Sequence, residues 1–204
     1  MIFIQNILGI VIGYIVGSIP WALIIGKVFY KKDVREYGSG NLGGTNAGRV
    51  LGKKAGIAVI VLDALKAFFV MMAFNFISPS VIPFAGLSVS IGHCFPLFAQ
   101  FKGGKGVACA AGYLLGLSVF GFLDPFFGFI YPVLIFFLVL GLSKMVSLSS
   151  MIFLISATII SFLTSSNILV NICIALLTVF VIYRHIPNIK KIIAGKENKV
   201  TWIK

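Results

Sequence analysis

Residues suited to binding phosphate are concentrated in segment 37–49, which reads YGSGNLGGTNAGR. Its glycines would let backbone N–H groups converge on an anion, and Arg49 offers a planar fork that can bind two oxygens. Further hydrogen-bonding side chains come from Ser39, Asn41, Thr45 and Asn46. A flexible polar loop is the alternative, but so many such side chains in so few residues favour an anion site that includes Gly40.

A second segment, 102–106, repeats this chemistry on a smaller scale. Its residues are Lys102, Gly103, Gly104, Lys105 and Gly106. A P-loop needs Ser or Thr after the lysine, so Gly106 excludes that motif. An ordinary basic anchor beside a membrane helix is the alternative, and the glycines favour phosphate binding instead.

A third cluster lies near the C-terminus. Arg184, His185 and Asn188 follow the last apolar stretch, and Glu197 lies further along the tail. A basic tail beside a membrane helix commonly attracts anionic lipid. The combination of a fixed charge, a titratable ring and an amide is more specific, so this cluster is also a candidate site.

Three ionisable residues fall within apolar segments. Asp63 and Lys66 are one helical turn apart, so their side chains can pair, and such groups inside a membrane are usually functional. Pairing alone would also explain them. His93 should lie close to segment 102–106. The cysteines are scattered without metal-ligand spacing, and we expect neither a metal nor a cofactor.

Membrane-spanning elements must position these candidates. Of the 204 residues, 59% are hydrophobic and 11% are charged, whereas soluble proteins carry about 25% charged residues. The 17 basic and 5 acidic residues give a net charge of +12, but the basic residues lie mostly in short loops between apolar runs. We therefore predict an all-α, polytopic integral membrane helical bundle and no nucleic-acid partner.

Charge-free runs and turn-forming residues predict about seven transmembrane helices. The expected spans are 3–26, 55–77, 81–98, 106–122, 125–142, 148–164 and 167–184. Apart from Lys66, the basic residues fall in odd-numbered loops and the tail, which predicts an outside N-terminus and a cytoplasmic C-terminus. Five helices, paired differently, would preserve this sidedness.

The first apolar segment is expected to remain uncleaved, because no basic residues precede it. Gly9, Gly13 and Gly17 recur every four residues, which predicts a smooth face for helix packing. Pro20 is expected to kink or end this helix.

The motifs together resemble those of the bacterial acyl-phosphate-dependent glycerol-3-phosphate acyltransferases, the PlsY family, over nearly the full chain. The first loop contains the family pattern S-G-N-x-G-x-T-N-x-x-R, and residues 17–20 read G-S-I-P. The second pattern, G-H-x-x-P followed by F-K-G-G-K-G-V-A, lies within 92–108. The third, R-H-x-x-N-I with a later G-x-E, lies within 184–197.

The resemblance implies a single transmembrane acyltransferase domain over 1–204. Such an enzyme moves a fatty acyl group from acyl phosphate to glycerol 3-phosphate, producing lysophosphatidic acid and phosphate in phospholipid biosynthesis. The implied catalytic residues are Ser39, Arg49, His185 and Asn188. The expected substrate-binding residues are Gly40, Asn41, Thr45, Asn46, Lys66, His93, Lys102, Gly103, Gly104, Lys105, Gly106 and Arg184. Structural roles are expected for Asp63 and Glu197.

The resemblance also implies a multi-pass protein of the bacterial inner membrane with its active site on the cytoplasmic side. The expected partners are the two substrates, membrane lipid and a soluble enzyme that makes acyl phosphate. The loops offer little material to bind an adenine nucleotide, so acyl phosphate is expected as donor rather than acyl-CoA.

Elementary electrostatics agrees with this assignment, because two anionic substrates must be brought together. Arg49, Lys102, Lys105 and Arg184 can offset their repulsion and stabilise the leaving phosphate without a metal. The hydroxyl proton could pass to His185, to His93 or to a substrate phosphate oxygen.

A transporter or channel for a phosphorylated anion is the alternative function. The strong phosphate-binding candidates all lie in segments expected on one face of the membrane. No inverted repeat is evident that would supply a path through the bilayer midplane. The sequence therefore favours the acyltransferase.

Overall fold

The computed structural model describes residues 2–200, with side chains from residue 4 onward. Within these residues the chain forms helices and turns and no strand, so the predicted all-α class is confirmed. The α-helices are α1 (Ile2–Gly17), α2 (Trp21–Tyr30), α3 (Gly44–Leu51), α4 (Lys53–Ile77), α5 (Ile82–Cys94), α6 (Val107–Val119), α7 (Tyr131–Ser143), α8 (Val146–Thr164), α9 (Ile168–Arg184) and α10 (Ile186–Ile193).

Five helical stretches of the described chain are long and apolar enough to cross a membrane. They are Ile4–Tyr30, Lys53–Ile77, Pro79–Ala99, Phe126–Ser143 and Val146–Thr164. The pair α9 and α10 meets the same criteria as one span bent by 58°. These helices support a polytopic membrane protein, whereas the count of seven spans and the orientation of the termini stay predictions.

The helix observed within the predicted span 106–122 is shorter than that span. Its helix, α6, ends at Val119 before Gly121, which has a left-handed φ of 80°. The N–H of Gly121 donates to the Ser118 carbonyl and that of Phe122 to the Leu117 carbonyl, the hydrogen-bond pattern of a Schellman C-cap. Its 13 residues extend about 20 Å, against about 30 Å for a hydrocarbon core.

The chain divides into two compact units, Met1–Gly116 and Leu117–Lys204. In the first unit, α1 packs along α5, and α4 contacts both helices. In the second unit, α8 packs against α7 and α9. A single domain over the whole chain stays a prediction.

The predicted glycine face of α1 is confirmed. A side chain added at Gly9, Gly13 or Gly17 would overlap α5 or the turn before it. At Gly17 the overlap is with the backbone of Val89, which cannot move aside as a flexible side chain could. The glycines therefore let α1 approach α5 closely.

The first predicted helix, 3–26, is divided in two. α1 ends at Gly17, and α2 begins at Trp21, directly after Pro20. Proline lacks the N–H that a continuous helix needs, and its ring displaces the preceding turn. The expected end of the helix at this proline is confirmed, and α2 then continues to Tyr30, beyond the predicted boundary.

Side-chain contacts join the helices of the second unit. Thr158 of α8 and Thr178 of α9 share a hydrogen bond of 2.8 Å. The rings of Phe136 and Phe153 meet edge to face, with centroids 6.3 Å apart. Edge-to-face rings are favoured because the positive edge of one approaches the negative face of the other.

Candidate functional site

The first glycine-rich loop joins α2 to α3, and Asp33 anchors its start. The Asp33 carboxylate accepts hydrogen bonds from the Arg35 backbone N–H at 3.0 Å and from its guanidinium at 3.0 and 2.7 Å. Lys27 Nζ lies 3.4 Å from the same carboxylate. These Arg35 hydrogen bonds hold the pKa of Asp33 well below its usual value, so the anchor is ionised at neutral pH.

The sequence predictions missed this anchor, although a signal for it exists. Asp33 is the N-cap of the tight turn Val34–Glu36, and Asp is among the residues preferred at that position. An Asp two residues before an Arg, three residues after the end of an apolar helix, could have indicated it.

Asn46 holds the middle of the loop. Its side-chain oxygen accepts from the Ser39 N–H at 2.8 Å, and its amide nitrogen donates to the carbonyls of Val34 at 2.9 Å and Tyr37 at 3.3 Å. Asn46 itself is 2% exposed. Its polar atoms are therefore used within the protein, which supports a positioning role rather than direct contact with a ligand.

The backbone N–H groups of both loops are partly occupied. In the first loop, the N–H of Ser39 bonds to Asn46 and that of Gly40 to the Tyr37 carbonyl. In the second, the N–H of Gly104 bonds to the His93 carbonyl. The N–H groups of Gly40 and Gly104 thus already have acceptors within the protein. Binding of an anion by the other glycine N–H groups stays a prediction.

The glycines of this segment permit left-handed backbone turns and close packing of helices. Gly38 and Gly40 have left-handed φ values of 63° and 67°, which other residues rarely adopt. Gly44 and Gly48 of α3 lie against Gly56 of α4. A Cβ atom added at Gly56 would lie only 2.6 Å from the Cα of Gly48. The two helices can therefore cross closely.

Helix α3 itself lies within what was predicted to be a loop. Its Ala47 and Leu51 are buried, whereas Thr45 and Arg49 are exposed, as is Ser39 before the helix. The spacing of the two apolar residues, four apart, is the signal that could have indicated a short amphipathic helix. The exposed side chains are available to a ligand.

An apolar cluster brings the two glycine-rich loops to one end of the first unit. Ala99, three residues before Lys102, packs in a cluster with residues of the first loop and the adjoining helices. The cluster consists of Ala22, Ile25, Val34, Leu42, Ala47, Leu51, Ala55, Val59 and Ala99. Lys102 and Arg49 are exposed and Lys105 is half-buried, so both loops contribute cations there.

The second loop rests on His93, as its sequence position predicted. A side chain at Gly103 would overlap the His93 carbonyl, and one at Gly104 would overlap the His93 ring. The N–H of Gly104 donates to that carbonyl at 3.1 Å. The glycine pair is therefore required for the loop to lie this close to α5.

The predicted pairing of Asp63 with Lys66 is confirmed. Lys66 Nζ lies 2.8 Å from Asp63 Oδ1, and both residues are buried. His93 Nδ1 lies 3.3 Å from the same oxygen and 3.1 Å from Lys66 Nζ. His93 therefore joins the pair, which sequence spacing alone did not indicate.

Three potential metal ligands are close together in this region. Asp63, His93 and Cys109 are buried, and one ligand atom from each lies within 4.8 Å of the others. The Lys66 ammonium contacts the first two groups and already supplies the positive charge that a metal would bring. The donor set therefore does not fit a metal ion.

The third predicted cluster lies in the second unit. The carboxylate oxygen Glu197 Oε1 accepts from Asn188 Nδ2 at 2.9 Å and from Ser147 Oγ at 2.8 Å. His185 is 2% exposed, with Nδ1 2.8 Å from the Val181 carbonyl. Arg184, immediately before it, is half-buried. Glu197 thus holds the side chain of Asn188.

The chain matches known proteins along nearly its whole length. A family model described as glycerol-3-phosphate acyltransferase matches residues 7–195. The chain is 46% identical over 197 residues to glycerol-3-phosphate acyltransferase 2 of Bacillus anthracis, covering 96% of this chain and 100% of the relative. It is 47% identical over 195 residues to the glycerol-3-phosphate acyltransferase of Bacillus subtilis, covering 95% and 97%.

Solved structures agree with these relatives. The chain is similar to PlsY (YgiH), an integral membrane glycerol 3-phosphate acyltransferase, in its glycerol 3-phosphate form, with a TM-score of 0.86, 32% identity and 96% of each chain covered. The lysophosphatidic acid form gives a TM-score of 0.84 at 32% identity, covering 96% of this chain and 95% of that one. This chain therefore belongs to the glycerol-3-phosphate acyltransferase family.

Proposed function

We propose that the protein transfers a fatty acyl group from acyl phosphate to glycerol 3-phosphate, producing lysophosphatidic acid and phosphate for phospholipid biosynthesis. The observation that carries the proposal is the packing of Ala99 into the cluster under the first loop, because it places two basic, glycine-rich loops side by side. Family membership supports the acceptor, and the PlsY neighbours were solved in glycerol 3-phosphate and lysophosphatidic acid forms.

Glycerol 3-phosphate binds at the second loop in this proposal. Lys102 is exposed and Lys105 half-buried, so their ammonium groups can reach a phosphate at the surface. Gly103, Gly104 and Gly106 leave no side chains between the ligand and the loop. Ammonium groups bind phosphate as point charges and tolerate a range of approach angles.

The acyl phosphate head binds at the first loop. Arg49 can hold two oxygens of the phosphate, while Ser39 and Thr45 are exposed on either side of the start of α3. Gly40 and the half-buried Asn41 complete this surface. Asn46 acts beneath it by fixing the Ser39 backbone.

The reaction mainly requires that the two substrates be oriented and that positive charge surround the leaving phosphate. A hydroxyl oxygen of glycerol 3-phosphate attacks the acyl carbonyl carbon, the bond from that carbon to the bridging phosphate oxygen breaks, and phosphate leaves with the electron pair. Arg49 and the loop lysines offset the charge that grows on the leaving phosphate. The rest of the rate acceleration comes from aligning the acceptor hydroxyl with the acyl carbonyl carbon.

The hydroxyl proton has three candidate acceptors, which the geometry separates in part. The His93 ring is covered by Gly104 and engaged with Asp63 and Lys66. His185 is also buried, at 2% exposed, so the burial of both rings favours a substrate phosphate oxygen as the acceptor. Because phosphate is a good leaving group, a protein base is not essential.

An apolar groove supports entry of the acyl chain from the membrane. It has a volume of about 430 Å³, and it lies where α2 meets the turn after α5. Its lining includes Ile19, Leu23, Ile24, Val28 and Phe98, with Lys27 as the charged residue. A fatty chain could remain in the groove while its phosphate head reaches the basic loops.

The second unit contains three further residues to which we assign roles. We assign His185 and Asn188 to catalysis and Arg184 to substrate binding, as the family resemblance implies. The hydrogen bond from Asn188 to Glu197 supports this assignment, because it holds the amide in one orientation.

We place the active site on the cytoplasmic face of the bacterial inner membrane. The clustering of basic residues in the glycine-rich loops and the tail supports this orientation. A soluble enzyme that makes acyl phosphate would supply the donor at the same face, and the product would remain in the membrane.

Turnover by the purified protein in lipid tests the proposal. With glycerol 3-phosphate as acceptor, we expect lysophosphatidic acid from acyl phosphate and little or none from acyl-CoA of the same chain length. Comparable kcat/KM for the two donors would overturn the donor assignment. Uptake of glycerol 3-phosphate into vesicles without turnover would instead support the transporter.

A further inference from the structure

Lys66 lies where the break between α1 and α2 meets α4 and α5. Its Nζ donates to the carbonyls of Gly17 at 2.9 Å and Ile19 at 3.1 Å, on either side of Ser18. A helix end leaves carbonyl groups without partners inside the helix. The ammonium therefore binds backbone at the helix break as well as the carboxylate of Asp63.

The same ammonium is linked to α5 through Asp63 and His93. An ammonium has three protons, and the hydrogen-bond partners of Lys66 Nζ are the two carbonyls and His93 Nδ1 at 3.1 Å. Asp63 Oδ1 lies 2.8 Å from Lys66 Nζ and 3.3 Å from His93 Nδ1, so its negative charge holds these groups together. Lys66 is 5% exposed, Asp63 1% and His93 6%, so the set is buried among the helices of the first unit.

His93 transmits this arrangement to the second loop. Its carbonyl binds the Gly104 N–H at 3.1 Å, and its ring fills the space that a side chain at Gly104 would need. A displacement of the ring would therefore displace the glycine pair and, with it, Lys102 and Lys105.

We propose that Lys66 is a positioning residue for the acceptor-binding loop. It ties the α1–α2 break to Asp63 and His93, and His93 in turn sets the position of Gly103 and Gly104. Lys66 and His93 then act on the reaction without touching a substrate. This role rests on the proposed function of the second loop as the site of glycerol 3-phosphate.

The test compares the double variant Asp63→Asn/Lys66→Met with wild type, since removing both charges avoids stranding one of them in the bundle. We expect the KM for glycerol 3-phosphate to rise about ten-fold while the KM for acyl phosphate stays within about two-fold. Amide hydrogen exchange in 102–106 should also become faster. Lys54→Met, on an exposed face of the same helix, should change none of these values.

A second variant acts on the loop without removing the buried charges. His93→Asn keeps a hydrogen-bonding group near Asp63 but removes the ring beneath Gly104, and we expect the same rise in acceptor KM and the same faster exchange. Unchanged exchange in 102–106 in both variants, or an equal change in the two KM values, would overturn the positioning role.

Lys105→Ala separates this proposal from the proposed function. If Lys105→Ala raises the acceptor KM and the two buried-site variants do not, the positioning role is wrong and the acceptor site stands. If Lys105→Ala leaves the acceptor KM unchanged, the acceptor site is wrong, and the exchange measurement still decides whether Lys66 positions the loop.

Discussion

The side-chain oxygen of Asn46 accepts a hydrogen bond from the backbone N–H of Ser39 at 2.8 Å. The same amide donates to the carbonyls of Val34 and Tyr37, so one buried residue of α3 holds three points of the preceding loop. Ser39 keeps an exposed side chain on a fixed backbone. A side chain on a fixed backbone loses less conformational freedom when it binds a substrate than one on a mobile loop.

Asn46→Asp should separate the two roles of this amide. The carboxylate can still accept from Ser39, but the donors to Val34 and Tyr37 are lost, at a cost of about 1–3 kcal/mol for each buried group. We expect a lower Tm and a kcat reduced about ten-fold in assays with both substrates at saturation. Asn198→Asp, at an exposed position of the tail, is the control, and wild-type kcat and Tm in Asn46→Asp would contradict the role.

Arg49→Lys tests whether the planar guanidinium is needed. Lysine keeps the charge but cannot bind two phosphate oxygens in the same fixed geometry. We expect kcat/KM for acyl phosphate to fall about 10- to 100-fold. Because Arg49 is exposed, the Tm should not change, and near-normal turnover by the folded variant would show that charge alone suffices.

Features with a regular sequence spacing could be predicted. The four-residue recurrence of Gly9, Gly13 and Gly17 fixes one face of a helix, and that face does pack against α5. Asp63 and Lys66 are separated by one turn, so their pairing follows from helix geometry before any tertiary structure is known.

Features that depend on tertiary packing could not be predicted. The contact from Lys66 to the Gly17 carbonyl joins residues 49 positions apart, and no local pattern specifies it. Helix α3 contains Gly44 and Gly48, which lower helix propensity. It is stabilised by close packing on Gly56 of α4, so its helical state depends on a neighbour that the local sequence does not reveal.

Asp33→Asn should loosen the start of the first loop. The ion pairs with Arg35 and Lys27 are lost, so we expect faster tryptic cleavage after Lys31 and Lys32 at neutral pH. Asp124→Asn, which removes a carboxylate that caps a turn in the second unit, should leave cleavage in this loop unchanged. Equal cleavage rates for wild type and Asp33→Asn would contradict the anchor.

The pH dependence of the same anchor follows from the lowered pKa of Asp33. Since Arg35 depresses that pKa in the folded state, the stabilisation is fully present above the unfolded value of about 3.9 and is lost only as the pH falls through the lower folded value. The Tm difference between wild type and Asp33→Asn should therefore be constant from about pH 5 to about pH 8. Thermal unfolding across that range measures it, and a difference that disappears near pH 5 would contradict the pKa assignment.

Glu197 provides the last prediction, because its two hydrogen-bond donors are neutral. Asn188 Nδ2 and Ser147 Oγ both bond to Oε1, and the amide oxygen of a glutamine can accept from both. We expect Glu197→Gln to keep kcat within about three-fold of wild type, and Glu197→Ala to lower kcat about ten-fold or more by releasing Asn188. Glu36→Ala, at an exposed position, is the control. Equal losses in Glu197→Gln and Glu197→Ala would show that the negative charge, rather than the fixed orientation of Asn188, is what the reaction requires.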